Sequence, residues 1–228
     1  IQACEKANSE GAKVVALTMP ILVGMNMSLR TFCALHQLPE WKTIFNLEYP
    51  ERMEKLRDPK LITWLENQAA LPEAGVFSRL TGWDNYLVGD TYSEANEGLK
   101  GRRLGDIARE RGQRAFHTMV EIALEDDLST VWWPLPTDDD PESWRLRAEA
   151  WEHEAVMIGG SDAGAHLDRM AGASYTTTWL DDCLRGRKLT TADHKVAQAD
   201  RFIYKANRAG VYALVAPANQ GQVGPGIR

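Results

Sequence analysis

Short apolar runs alternating with amphipathic helical stretches constrain the fold of this chain more than any other feature of its sequence. The runs fall at residues 12–17, 83–88, 130–133 and 155–159. Each has the length of a strand. The first and last, Ala12-Lys13-Val14-Val15-Ala16-Leu17 and Ala155-Val156-Met157-Ile158-Gly159, have the apolar, β-branched content of buried strands. Residues 1–10 predict the end of a helix stopped by Gly11, and Pro20 and Gly24 mark a loop. Residues 25–70 mix aromatics, charges and prolines, which predicts short helices in a long excursion, with Met53, Leu56, Leu61, Trp64 and Leu65 facing inward. Residues 103–111 predict a helix closed by Gly112, with Leu104, Ile107 and Ala108 on one face. Phe116, Met119, Val120, Ala123 and Leu124 then follow the i, i+3, i+4, i+7, i+8 pattern of a second helix, ended by Asp126-Asp127. Asp138-Asp139-Asp140-Pro141 starts a third, running through residues 144–152. Strand and helix in alternation predict an α/β fold with parallel strands.

Composition narrows the function classes. The 228 residues are 44% apolar and 25% charged with a net charge of −6, enough for one large domain or two small ones. An acidic chain lacks the basic face that nucleic-acid phosphates demand, which argues against a nucleic-acid partner and leaves a small-molecule substrate open. No run approaches the ~18 apolar residues of a membrane span, and residues 1–20 lack the pattern of a signal peptide. Cys4, Cys33 and Cys183 are odd in number and widely spaced, which suits reduced thiols and a cytoplasmic setting. Ile1 opens directly onto a helical segment, so the natural start is expected upstream.

The stretch that carries chemistry is Val156-Met157-Ile158-Gly159-Gly160-Ser161-Asp162-Ala163-Gly164-Ala165-His166. An apolar strand runs into small residues and presents Asp162 beyond its C-terminal end, the functional edge of a βα-barrel. Gly159, Gly160 and Gly164 allow a sharp turn and the close approach of a ligand. An Asp near a metal takes a proton from bound water and returns it to a leaving amine, while a nearby imidazole such as His166 binds or polarises the substrate. An Asp after a strand also serves as the N-cap of a following helix. Spacing alone leaves both roles open for Asp162.

Resemblance points to one of them. Gly160-Ser161-Asp162-Ala163-Gly164-Ala165-His166-Leu167-Asp168 resembles the segment after the eighth strand of amidohydrolases related to N-acyl-D-amino-acid deacylases. Ala173-Ser174-Tyr175-Thr176-Thr177 is similar to the same family, as is the helix segment running from Gly101-Arg102-Arg103-Leu104-Gly105 to Arg111-Gly112. The likeness runs in order through residues 1 to about 189. It implies the C-terminal part of a metal-dependent (β/α)8 TIM-like barrel, incomplete in this chain, that hydrolyses the amide bond of N-acyl-D-amino acids. In that frame Asp162 is the metal-proximal general acid and base; its Asp-x-x-x-His pattern is also similar to that of dihydroorotase and dihydropyrimidinase relatives, whose histidine contacts the substrate, and this is the role expected of His166. Arg169, near them in sequence, is a candidate partner for a substrate carboxylate, since a guanidinium binds carboxylate in a bidentate fashion; an exposed surface position suits the residue better.

The family's other zinc ligands have no counterpart here. The histidines are His36, His117, His153, His166 and His194, and no two form His-x-His. Cys33 and His36 stand three apart in an irregular segment, without the three or four converging ligands that zinc takes. The expectation is therefore that zinc belongs to the full-length protein, that Asp162 is the one ligand in this chain, and that the 228 residues alone are inactive. The barrel portion with its long insertion would span residues 1–189. Residues 190–228, rich in Ala, Gln and Gly, predict a flexible tail with one strand-like stretch at 211–215, and do not resemble the family. Two other readings stand beside the deacylase: a non-catalytic fold relative acting as a binding module, and a cyclic-amide hydrolase of the dihydropyrimidinase or dihydroorotase kind.

Overall fold

Among the described residues helices dominate, and the strands come in two separate pairs. The computed structural model describes residues 1–22, 24–159 and 174–182. These residues form two units, one from 1–22, 138–159 and 174–182, the other from Gly24–Thr137. The tail expected at 190–228 lies outside the described residues. Among the described residues no helix is long and apolar enough to cross a membrane.

The first unit opens with α1 (Gln2–Ser9) and β1 (Ala16–Thr18). The strand is shorter and later than residues 12–17. The reason is Asn8, whose side chain accepts the Val14 N–H at 2.8 Å and donates to the Val14 carbonyl at 3.3 Å. That exchange occupies Val14 before the ladder begins.

The second unit holds the larger core. Its helices α2 (Lys42–Phe45), α3 (Tyr49–Lys55) and α4 (Pro59–Ala69) fill the predicted excursion. Pro59 separates α3 from α4, and Asp58 caps α4 by accepting the Lys60 N–H at 2.9 Å. This break sets the phase of α4: Ile62 and Leu65 are buried, whereas Trp64, expected inside, is 38% exposed. At the centre Trp41 lies nearly parallel to Phe45 and to Trp83, at ring separations of 5.2 and 5.7 Å. Its indole N–H donates to the Leu65 carbonyl at 3.0 Å, so the large aromatic is buried without an unmet polar group.

Next come β2 (Tyr86–Val88), α5 (Leu104–Arg111), α6 (Ala115–Glu125) and β3 (Trp132–Pro134). Trp83-Asp84-Asn85, expected to start the strand, forms a 3-10 turn instead. Leu104, Ile107 and Ala108 of α5 are buried, as are Phe116, Met119, Val120 and Ala123 of α6. Gly112 ends α5 in the left-handed conformation at φ 63°, which an L side chain adopts only with strain.

Strands β2 and β3 pair antiparallel, with Tyr86 opposite Pro134 and Val88 opposite Trp132. Parallel pairing was the expectation, and the connection explains the difference. A single crossover helix returns the chain to the start of a parallel neighbour. Here two helices, α5 and α6, pack on each other across a short turn. The chain has also turned back before either helix, because Leu87 bridges Arg103 antiparallel and the Val88 N–H donates to the Arg102 carbonyl at 2.9 Å, so no single crossover joins β2 to β3. Met27 also joins this sheet, accepting the Trp132 N–H at 2.7 Å and donating to the Trp132 carbonyl at 3.0 Å.

The first unit resumes with α7 (Pro141–Glu152), β4 (Val156–Ile158) and α8 (Tyr175–Asp181). Asp140 caps α7 by accepting the Ser143 N–H at 3.0 Å, with Pro141 in the first turn, as the acidic start predicts. Trp144, Trp151, Ile158 and Trp179 form this unit's core, with Ile21 and Leu22 against it.

Candidate functional site at the end of the parallel strands

In the first unit, β1 and β4 lie side by side and parallel, with Ala16 opposite Val156, Leu17 opposite Met157 and Thr18 opposite Ile158. Both strands therefore end at one edge. The Ala16 N–H donates to the Ala155 carbonyl at 2.8 Å, and the Gly159 N–H donates to the Thr18 carbonyl at 2.9 Å. The second bond holds the point where the chain leaves β4. In open α/β sheets and barrels, ligands bind outside this carboxyl edge, because the connecting segments there converge from several strands.

Thr18 closes β1 at this edge. Its Oγ1 is shut off from solvent and has no hydrogen-bond partner among the described residues. Leaving a buried hydroxyl unmet costs about 1–3 kcal/mol. Sequence reasoning passes over Thr18. The one signal is a lone hydroxyl at the end of the run Val14-Val15-Ala16-Leu17, where a further β-branched apolar residue would continue the pattern.

Asp162, His166 and Arg169, the residues that the sequence singles out, lie outside the described residues. The described histidines serve elsewhere. His153 follows α7 at the opposite, entry end of β4, where its Nδ1 accepts the Ala155 N–H at 3.1 Å and its Nε2 faces Glu5 at 3.0 Å. His117 Nε2 meets the Thr63 hydroxyl at 3.1 Å in the second unit. His36 is buried with Cys33 in a local cap: the Cys33 N–H donates to His36 Nδ1 at 3.1 Å, and the ring packs on Phe32 and Phe45. The described part of this pair is thus a capping arrangement. Among the described residues no three His, Cys, Asp or Glu side chains gather in a way that would hold a metal ion.

The second unit carries an open cleft of about 660 Å³ over Leu87 and Leu135, walled by Arg102, Arg103 and Arg109. Two of these guanidiniums are matched within the wall itself. Arg102 meets Glu110 at 2.5 Å, and Arg109 pairs with Asp106 one helical turn away. Arg103 donates to the Asn85 side chain at 3.1 Å. The cleft is thus close to electrostatically neutral.

No family model, curated protein or solved structure matches the chain.

Proposed function

We propose that this chain supplies the last strands of a metal-dependent amidohydrolase barrel, and that Asp162 is the general acid and base that cleaves the amide bond of an N-acyl-D-amino acid. The observation that carries the reading is the parallel pairing of β1 with β4, although the whole of Gly24–Thr137 intervenes. Neighbouring parallel strands with a separately folded excursion between them suit the closing strands of a barrel with an insertion. The flank of β1 adds support. Leu17 is 59% and Val15 49% exposed, whereas strands of parallel sheets are covered on both faces. An uncovered apolar face of this kind suits a further layer packed over the sheet.

In this reading the Asp162 carboxylate takes a proton from water as the oxygen attacks the amide carbonyl. It then delivers that proton to the nitrogen as the C–N bond breaks, leaving a carboxylic acid and an amino acid. General acid–base assistance of this sort contributes about 10²–10⁴-fold. His166 contacts the substrate, and Arg169 pairs with the carboxylate of the amino-acid portion. Zinc is the group that would polarise the water. The residues described for this chain do not form its ligand set, so the chemistry assigned to the chain is limited to these side chains.

The test is hydrolysis of N-acetyl-D-amino acids and of hydantoins by the full-length protein and its Asp162→Asn variant. The expected outcome is turnover of the acyl-D-amino acids, reduced at least 100-fold by the substitution. Undiminished turnover in Asp162→Asn overturns the assignment. Turnover of hydantoins alone replaces it with the cyclic-amide reading, and no turnover of either favours a binding module.

A further inference from the structure

The hydroxyl of Thr18 is out of keeping with its surroundings. It ends an apolar strand, its main chain is engaged with Gly159, and its Oγ1 is buried without a partner among the described residues. Valine has the same shape and the same preference for strands, and it would fill this space with no polar atom to satisfy. Native structures hold few such groups, and those they hold are met by water or ligand or serve a function. The position sharpens the choice, because Thr18 lies at the carboxyl edge of a parallel pair, where α/β proteins take their ligands.

We infer that Thr18 is a ligand-contacting residue whose hydroxyl donates a hydrogen bond to the acyl or carboxylate oxygen of a small N-acylated amino acid bound at this edge. The identity of that ligand rests on the amidohydrolase reading, whereas the existence of the contact rests on the geometry of Thr18. A hydroxyl in this role is a liability in the free protein and an asset in the complex. The two states therefore respond in opposite directions to its removal.

The experiment compares the full-length protein with its Thr18→Val and Thr18→Ser variants, by thermal melting and by calorimetric titration with N-acetyl-D-leucine. The inference expects Thr18→Val to melt at the same temperature as the wild type or above it, and to bind the ligand about tenfold more weakly. Thr18→Ser, which keeps the hydroxyl, should bind within about twofold of the wild type. A Thr18→Val variant that melts lower and binds unchanged shows a hydroxyl that supports the fold, and overturns the inference. Equal affinity in all three proteins does the same, as does the absence of saturable binding by the wild type. Hydrolysis by Asp162→Asn, measured alongside, separates the two ideas. Its loss together with unchanged binding by Thr18→Val removes the Thr18 contact alone, and its retention removes the Asp162 assignment while the Thr18 result stands on binding.

Discussion

Ser93 donates its backbone N–H to the carboxylate of Asp126 at 2.8 Å, tying the loop after β2 to the end of α6. Tyr92 N–H and the Thr130 hydroxyl also reach this carboxylate, at 3.2 and 2.7 Å. Burial opposes ionisation of Asp126, but hydrogen bonds from Thr130, Ser93 and Asn96 outweigh it and hold the carboxyl below the ordinary range. The folded protein thus binds this proton less readily than the unfolded chain, whose Asp titrates near ~3.9. The stabilisation is present above that value and is lost as pH falls through the lower, folded one. Asp126→Asn should cost about 1–3 kcal/mol at neutral pH. Denaturant melts from pH 7 downward should show the gap between variant and wild type narrowing below about pH 4. A gap that does not change with pH would count against the charge of Asp126 as its source.

Gly89 offers a steric test of the same region. Its N–H donates to the Val131 carbonyl at 2.7 Å, and a Cβ placed there would lie 2.9 Å from that oxygen and from Trp133 Cε2. The oxygen belongs to the backbone just before β3, where the Val131 N–H donates to the Asp90 carbonyl at 2.9 Å, and has little room to move. Gly89→Ala is expected to destabilise by about 1–3 kcal/mol, the usual cost of overpacking. Thermal melting checks it, at roughly 2–4 °C per kcal/mol for a chain of this size.

Arg52 of α3 gives a third test. Its guanidinium donates to the carbonyls of Leu29 and Arg30 at 3.0 and 2.9 Å and to that of Leu47 at 3.0 Å, tying two segments of the chain to α3. An ammonium lacks this planar fork. Arg52→Lys should lose about 2 kcal/mol, in line with charged hydrogen bonds. It should also speed amide exchange in the segment around residues 29–30. Unchanged exchange there would show that the carbonyls are held by other means.

The parts of this fold legible in the sequence are those written in local periodicity. Leu104, Ile107 and Ala108 repeat at helical spacing and all are buried, and Gly112 stops their helix where a left-handed residue is required. Strand direction is not local. Nothing within Tyr86–Val88 or Trp132–Pro134 says that they run antiparallel; that depends on the path between them, which begins with the return of Arg102 and Arg103 along β2. Trp64 shows the same limit on a smaller scale, because its large apolar ring suggests burial until Pro59 fixes the phase of the helix. At the candidate site, β4 and its exit at Gly159 were legible from the apolar run and the glycines that follow. Thr18 was not, since its hydroxyl acquires meaning only once β4 is known to lie beside it. The assignment of Asp162, His166 and Arg169 rests on sequence, as all three lie outside the described residues.

The two hydrogen bonds between Met27 and Trp132 bear on the order in which the chain folds. Joining β1 to β4 directly would require closing a very long flexible loop, and each doubling of loop length adds about 0.6 kcal/mol of entropy cost. Met27 and Trp132 stand near the two ends of the intervening unit, so once that unit has formed its entry and exit are already neighbours. The search that remains for β1 and β4 is then made over two tethers, the longer of which carries α7. A pairing distant in sequence becomes shorter in reach wherever Gly24–Thr137 forms before the parallel strands meet.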